Sequence, residues 1–417
     1  MKLCVLGLGY IGLPTAAMFA NAGHDVTGVD KKAAIVEALN KGEIIIEEEG
    51  LADFIKKVTA TGRLKACDKA VEADAFIISV PTPITEDKKA DMKFVISATE
   101  EVAGVLKKGD LVILESTSPI GTVDSIMKPI LEEKTGLKAG ADFSLGHSPE
   151  RVIPGRILYE LVHNNRIAGG YDTESAHRIK ELYSSFVEGE IYETDARTAE
   201  MCKLSENTFR DVNIAFANEL AKICEAQGVN VWELIEICNK HPRVNIHQPG
   251  PGVGGHCIAV DPWFIVEKEP GLAQIIDLAR HTNDGMPAYV ADRSMEILRG
   301  IENPKVTILG VTYKPDVDDM RESPILYLID ELKSRGVTVA VQDPFAHGRN
   351  GVLADLDEAV KGADLIILGV NHKFYKDLDF AALAKLVRTK NFLDTRNFAD
   401  RRAAEAAGFA AYLLGRK

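Results

Sequence analysis

Lys2-Leu3-Cys4-Val5-Leu6-Gly7-Leu8-Gly9-Tyr10-Ile11-Gly12 decides the fold. The apolar run Leu3 to Leu6 leads straight into Gly7-Leu8-Gly9-Tyr10-Ile11-Gly12, and residues 11–22 then carry small and apolar side chains in a helical pattern. In a strand–G-x-G-x-x-G–helix unit the first glycine makes a tight turn, the second lets a pyrophosphate approach the backbone, and the third packs the helix on the sheet. The helix N-terminus presents N–H groups to the anion. Residues 24–30 read as the next strand and end in Asp30, whose carboxylate is suited to accept ribose hydroxyls and to repel a 2'-phosphate. The expected cofactor is therefore NAD in preference to NADP, with Lys31 and Lys32 pulling slightly the other way.

Outward from this start, residues 75–80 and 111–115 read as further buried parallel strands. Each runs into a polar, proline-containing loop, Pro81-Thr82-Pro83 and Ser116-Thr117-Ser118-Pro119, at the strand end where such sheets bind ligands. From about residue 195 to 299 the pattern is helical, and residues 199–227 form one long helix of nearly eight turns. Such a helix serves as a spine between domains and as a dimer interface. After Asn303-Pro304 the alternation returns, with strands at 305–310, 337–342, 363–368 and 391–394 and helices at 325–334 and 356–361. Ala363-Asp364-Leu365-Ile366-Ile367-Leu368-Gly369-Val370 echoes Ala73-Asp74-Ala75-Phe76-Ile77-Ile78-Ser79-Val80. With no G-x-G-x-x-G after its first strand, the second sheet is expected to hold something other than the dinucleotide. The fold class is α/β: two Rossmann-like doubly wound domains, 1–194 and 301–417, joined by a central helical segment, 195–300, that contains the spine helix.

A chain of 417 residues exceeds one ordinary core and fits two or three domains. Its formal charge of -13 argues against nucleic acid or an anionic membrane as partner, so any anionic ligand must be met by a few placed cations. No apolar run approaches the ~20 residues needed to span a bilayer, and Met1-Lys2-Leu3 opens a strand, not a signal peptide; a cytoplasmic location is expected. The six cysteines, Cys4, Cys67, Cys202, Cys224, Cys238 and Cys257, show no C-x-x-C spacing and predict no disulfide framework.

One cysteine stands apart. Gly250-Pro-Gly-Val-Gly-Gly-His-Cys-Ile-Ala-Val-Asp-Pro-Trp263 places Cys257 in a loop stripped of side chains by glycine, with His256 beside it and Asp261 four residues on. A thiolate adds readily to an aldehyde when neighbouring donors or cations lower its pKa. A buried structural thiol and a zinc ligand are the competing readings, but no second thiol stands at ligand spacing. Lys203, Asn207 and Arg210, separated by four and three residues, share a face of the long helix and are able to bind an alkoxide, a water and phosphates; the bland alternative is a solvated polar stripe. His147-Ser148-Pro149-Glu150-Arg151-Val152 follows a strand-like segment and offers a carboxylate and a cation, although Glu150 also suits an ordinary helix start.

Taken together these motifs resemble the nucleotide-sugar 6-dehydrogenases, the family of UDP-glucose and GDP-mannose dehydrogenases, over essentially all of the chain. Further matching stretches are Ser148-Pro149-Glu150-Arg151-Val152-Ile153-Pro154-Gly155, Lys203-Leu204-Ser205-Glu206-Asn207-Thr208-Phe209-Arg210-Asp211-Val212-Asn213, Tyr313-Lys314-Pro315-Asp316 and Arg321-Glu322-Ser323-Pro324. The Gly-Gly-His-Cys-Ile-Ala-Val-Asp-Pro-Trp form is similar to the branch that acts on UDP-N-acetyl-D-mannosamine. It lacks the Gly-Gly-Ser-Cys and following Pro-Lys-Asp usual in UDP-glucose enzymes.

The resemblance implies two NAD-dependent oxidations of the sugar C6 alcohol in one site, with Cys257 forming a thiohemiacetal and then a thioester that water hydrolyses. Lys203 would serve the C6 oxygen as acid/base or oxyanion partner with Asn207 beside it, and Glu150 and Asp261 would handle the proton and the hydrolytic water. Gly7, Gly9, Tyr10, Ile11, Gly12, Asp30, Thr82, Thr117 and Arg321 would bind the cofactor. Arg151, Val152, Lys203, Asn207, Arg210, His241, Arg243, Gly254, Tyr313 and Lys314 would bind the UDP-sugar. No metal is expected, and a homodimer or homotetramer is. The same chemistry on UDP-N-acetyl-D-glucosamine or its galacto epimer stays open, as do a two-electron hydroxy acid dehydrogenase and an NAD-responsive binding protein.

Overall fold

The structure, a computed structural model, describes residues 1–417 apart from Glu47 and Pro154; the latter, part of the Ser148 to Gly155 motif, thus lies outside the described residues. The chain divides into two compact units, Met1–Glu206 with Trp263–Lys268, and Asn207–Pro262 with Glu269–Lys417. The spine helix Ala196–Gln227 begins one turn earlier than its apolar spacing predicts and contributes to both units.

The first unit is built on an eight-stranded sheet: β1 (Lys2–Leu6), β2 (Asp25–Val29), β3 (Leu64–Cys67), β4 (Ala75–Ile78), β5 (Leu111–Leu114), β6 (Ser144–His147), β7 (Arg166–Gly170) and β8 (Ile191–Asp195), in the order β3-β2-β1-β4-β5-β6-β7-β8. All neighbours are parallel except β6 and β7. Leu3, Val5, Ala75, Ile77, Leu111 and Ile113 join the core on one face, and Cys4, Leu6, Phe76, Ile78, Val112 and Leu114 that on the other. Both faces are covered, which is why these strands read as continuous apolar runs. Truncating a fully buried ring such as Phe76 to alanine would cost about 3–5 kcal/mol.

The second unit repeats the plan in five parallel strands, β9 (Lys305–Leu309), β10 (Thr338–Gln342), β11 (Leu365–Leu368), β12 (Asn391–Asp394) and β13 (Ala410–Leu413), ordered β10-β9-β11-β12-β13. Gly310, at φ +85°, follows β9 as Gly7, at φ +93°, follows β1. The echo between the two halves has a physical cause. Asp74 accepts a hydrogen bond from the Lys2 N–H, and Asp364 from that of Lys305, so each aspartate ties the start of one strand to the start of its parallel neighbour.

The sheets diverge at the carboxyl end of their second strands. Asp343 accepts from the N–H groups of Val311, Phe345 and Ala346, and its Oδ2 lies 3.0 Å from His372 Nε2, with Asp343 and His372 both fully enclosed. These partners occupy its lone pairs, so Asp343, which follows β10 as Asp30 follows β2, has none left to receive a ribose.

Candidate functional site

In the first unit the strand order reverses between β1 and β4, and loops at such a switch point form a ligand crevice. A Cβ on Gly7 would stand 2.1 Å from the Ser79 carbonyl oxygen, and one on Gly12 1.9 Å from that of Gly7, so both positions admit only glycine. A Cβ on Gly9 would meet nothing within 4 Å. The space there suits a pyrophosphate, and the helix Gly12–Asn21 starts beside it with no side-chain cap and no acidic residue in its first turn.

Asp30 accepts from the Leu8 N–H at 3.0 Å through Oδ2 and from the Lys32 N–H at 2.9 Å through Oδ1, leaving each oxygen a lone pair for a ribose hydroxyl. Lys31 is drawn aside into an ion pair with Glu101 and a bond to the Asp68 carbonyl, so the pull towards a 2'-phosphate that its sequence position suggests is weakened. Thr82 Oγ1 donates to the Thr117 carbonyl at 2.7 Å, and the Val80 N–H donates to Ser116 Oγ at 2.8 Å; the loops after β4 and β5 are thereby joined. Tyr10 is exposed and Ile11 half-buried at the glycine turn.

The same unit holds Lys203, Glu150 and Arg151. Lys203 is buried in the early part of the spine helix. One turn before it, Glu200 accepts from the Gly121 and Val123 N–H groups at 2.5 and 3.0 Å, which fixes the Thr117 loop against that helix. Burial pushes the Glu200 carboxyl up to about 7 against those two donors. Burial likewise pulls the His147 imidazole down to about 3; the Leu114 backbone opposes this and the Lys203 charge adds to it. Neither ring nitrogen has a hydrogen-bond partner of good geometry among the described residues. Glu150 Oε2 accepts from Arg166 at 2.6 Å and its Oε1 from the Arg151 N–H at 2.6 Å. The Arg151 guanidinium pairs with Glu206, and Val152 is half-buried.

In the second unit the glycine-rich loop is held from beneath. The Gly250 N–H donates to Asn218 Oδ1 at 2.9 Å; Asn218 donates to Asn283 Oδ1 at 2.8 Å; Asn283 donates to Asp211 Oδ1, which the buried Arg280 also engages. Gly252 and Gly255 adopt φ of +130° and +90°, values L side chains rarely reach. A Cβ on Gly254 would lie 2.4 Å from the Glu322 carbonyl oxygen, and one on Gly255 2.9 Å from the Tyr313 ring.

Cys257 is exposed at the end of this loop. Its carbonyl accepts from the N–H groups of Val260 and Asp261 at 3.0 and 2.8 Å, a turn that brings Asp261 back beside the cysteine. Asp261 is 2% exposed and accepts from Asn207 Nδ2. Asn207, Cys257 and Asp261 thus come together. His256 lies 3.6 Å from Asp319, and burial, with the Arg321 charge, lowers its pKa. Tyr313 and Lys314 are half-buried after β9, while Arg321 is bidentate on Asp319 at 2.9 and 2.7 Å. Arg210, His241 and Arg243 are exposed, and the structure gives His241 and Arg243 one mutual contact, Arg243 N–H to His241 Nδ1 at 3.3 Å.

Sequence reasoning does not single out Glu115, Arg166, Glu200, Asn218 or Asn283. The available signal was a charge flush against an apolar run, Glu115 after Leu111 to Leu114 and Arg166 before Ile167-Ala168. Among the described residues no group of three or more histidine, cysteine, aspartate or glutamate side chains is placed to hold a metal, and no helix is long and apolar enough to cross a membrane.

Three domain descriptions match in the order of the chain: the UDP-glucose/GDP-mannose dehydrogenase family NAD binding domain over residues 1–187, its central domain over 197–285 and its UDP binding domain over 307–401. The chain belongs to the UDP-glucose/GDP-mannose dehydrogenase family. A UDP-N-acetyl-D-mannosamine dehydrogenase of Methanococcus maripaludis is 48% identical over 99% of this chain and 97% of the relative. An NDP-N-acetyl-D-galactosaminuronic acid dehydrogenase of Ralstonia solanacearum is 44% identical over 94% of this chain and 95% of its own. The solved structure of a UDP-D-ManNAc dehydrogenase from Pyrococcus horikoshii superposes with a TM-score of 0.92 at 41% identity, covering 100% of this chain and 99% of that one. Membership makes this an NAD-dependent dehydrogenase. The family's NAD binding domain falls on the sheet with the open Gly9 turn, and its UDP binding domain on the sheet whose Asp343 is fully engaged.

Proposed function

We propose that this chain oxidises the C6 alcohol of UDP-N-acetyl-D-mannosamine to the uronate in two successive steps through a thioester on Cys257. The carrying observation is the cluster of Cys257, Asp261 and Asn207, an exposed thiol on a glycine loop with a buried carboxylate one turn away and an amide bonded to that carboxylate. A dehydrogenase that stopped at the aldehyde would need none of the three. The substrate assignment draws on the full-length similarity to UDP-N-acetyl-D-mannosamine dehydrogenases.

NAD, held by Gly7, Gly9, Gly12 and Asp30 with Tyr10, Ile11, Thr82 and Thr117 along its cleft and Arg321 from the last domain, supplies the electron acceptor for each oxidation. Lys203 takes the C6 hydroxyl proton and then stabilises the C6 oxygen, with Asn207 as a second donor. The Cys257 thiolate adds to the aldehyde carbon, forming the C–S bond of a thiohemiacetal; after the second oxidation the thioester remains. Water attacks that carbon, the C–S bond breaks, and Glu150 or Asp261 takes the water's proton as Cys257 leaves. Arg151, Arg210, Arg243 and Lys314 offer cations to the diphosphate, with Val152, His241, Gly254 and Tyr313 completing the contacts. In domain terms we assign 1–194 to NAD, 195–300 to catalysis and self-association, and 301–417 to UDP.

Phe209, Phe216 and Ile223 recur every seven residues on the spine helix and are 69%, 50% and 50% exposed. This stripe supports a homodimer, alone or within a homotetramer. A working thiol and cysteines without disulfides fit a cytoplasmic location.

The galactosamine-type relative, at 44% identity, favours one second reading, a galacto- or gluco-configured substrate with the same chemistry. Comparing kcat/KM for UDP-N-acetyl-D-mannosamine with its gluco and galacto epimers decides the matter. The proposal expects the manno sugar to lead by at least about tenfold, a difference of about 1.4 kcal/mol in transition-state binding; a lead for either epimer would overturn the assignment.

A further inference from the structure

Beneath Glu150 lies a buried charge cluster that no step above uses. Arg166, the first residue of β7, has a side chain 5% exposed. Its Nη1 donates to Glu150 Oε2 at 2.6 Å, its Nη2 to Glu115 Oε1 at 2.5 Å and its Nε to Ser148 Oγ at 3.0 Å. The guanidinium carbon stands 3.9 Å from the Tyr183 ring centre. Glu115 Oε1 also accepts from the Tyr183 hydroxyl at 2.9 Å and the Thr15 hydroxyl at 3.4 Å, while its Oε2 is buried with no partner among the described residues.

Two carboxylates therefore share one cation, Glu115 fully buried and Glu150 at the slightly exposed edge of the cluster. With both ionised the cluster carries a net charge of -1 in a low-dielectric setting, a costly state; with one proton aboard it is neutral. Facing Glu115 are Arg166 from β7, Glu150 from the loop after β6, Tyr183 from the helix Thr173–Tyr183, and the uncharged Thr15 from the first helix. Burial, reinforced by Glu150, outweighs Arg166, Tyr183 and Thr15 and raises the Glu115 carboxyl to about 7.

We infer that Glu115 is a positioning residue for proton transfer at Glu150: as the second anion on Arg166 it keeps that guanidinium compensated whenever Glu150 takes up a proton. When the hydrolytic water gives a proton to Glu150, the bond from Arg166 to Glu150 weakens. Glu115, ionised, then carries the counter-charge to Arg166. The proton taken up brings the cluster from a net charge of -1 to neutral. This inference rests on the proposed role of Glu150 in hydrolysis.

The test is the pH profile of kcat in full-length Glu115→Gln, with Glu150→Gln alongside. Glu115→Gln removes the carboxyl whose protonation near 7 withdraws that counter-charge, so the acid limb should move to lower pH by about one unit or more. Since that substitution is isosteric but sits in a core, difference infrared titration of the protonated carboxyl stretch gives a readout independent of turnover. The native protein should show one more carboxyl protonating near neutral pH than Glu115→Gln, in which the Glu200 signal remains. An acid limb at its native position with kcat reduced equally at all pH values would reduce Glu115 to a packing role and overturn the inference. So would an infrared signal of undiminished amplitude in Glu115→Gln. Full activity with an intact acid limb in Glu150→Gln would instead sink the hydrolytic role of Glu150, a separate failure.

Discussion

Asn207 Nδ2 donates to Asp261 Oδ2 at 2.5 Å, joining the spine helix Ala196–Gln227 to the first residue of the helix Asp261–Lys268. Asp261 follows the Cys257 turn, so the contact sets the thiol loop against the helix that also carries Lys203. The two residues have separable roles. Asn207→Ala removes a donor to developing oxygen charge and should lower kcat by about 10²-fold. Asp261→Asn keeps a polar group of the same shape but removes a base. It should release about two NADH per active site in a rapid phase and then stall with the enzyme acylated. Pre-steady-state NADH absorbance distinguishes these outcomes, and equal slow steady rates with no rapid phase in Asp261→Asn would remove Asp261 from the hydrolytic step.

Gly254→Ala tests whether the loop's closeness to the following chain matters. The new methyl would lie 2.4 Å from the Glu322 carbonyl and 2.8 Å from Pro324, so the loop must shift. A local cost of about 1–3 kcal/mol is expected. Because the Gly250 to Asn218 anchor is untouched, the melting temperature should fall by only about a few degrees while turnover falls at least about tenfold. Unaltered kcat with lowered stability would assign Gly254 to packing alone.

Acid stability isolates His147. Its imidazole is held near 3 by burial, against an ordinary value near 6.5, so the unfolded chain binds a proton the folded chain refuses. The stability this provides is complete above about 6.5 and is lost as pH falls towards 3, at up to about 1.4 kcal/mol per pH unit. Glu115 and Glu200, both raised to about 7, act in the opposite sense, since the folded chain holds their protons between about 4.5 and 7. Comparing urea midpoints of the native protein and His147→Leu at pH 5 and 7 cancels these shared terms. The native protein should lose more on acidification; parallel losses would mean that His147 is not held neutral.

The part of the fold readable from sequence was the part written in neighbouring residues. The strand, glycine turn and helix at residues 2–21 and the strands at 391–394 and 305–309 stand where apolar runs and glycine place them. The repeated Asp74 and Asp364 are visible because each serves a bond beside its own strand. The short strands β3, β7, β8 and β13 gave no such pattern. β7 in particular depends on Gly146 and Gly169: a Cβ on Gly146 would stand 2.3 Å from the Gly169 carbonyl, so the antiparallel β6–β7 crossing is set by two glycines 23 residues apart. The same holds for the sites. Cys257 and Asp261 are close in sequence and were found together, whereas Glu115, Glu150 and Arg166 meet only when β5, β6 and β7 are side by side.

The most direct test of the central claim is the yield of NADH per mole of limiting UDP-N-acetyl-D-mannosamine, with native protein and with Cys257→Ser. The thioester route predicts two equivalents from the native protein, and a loss or stall of the reaction in the variant. One equivalent from the native protein, unchanged by Cys257→Ser, would contradict it.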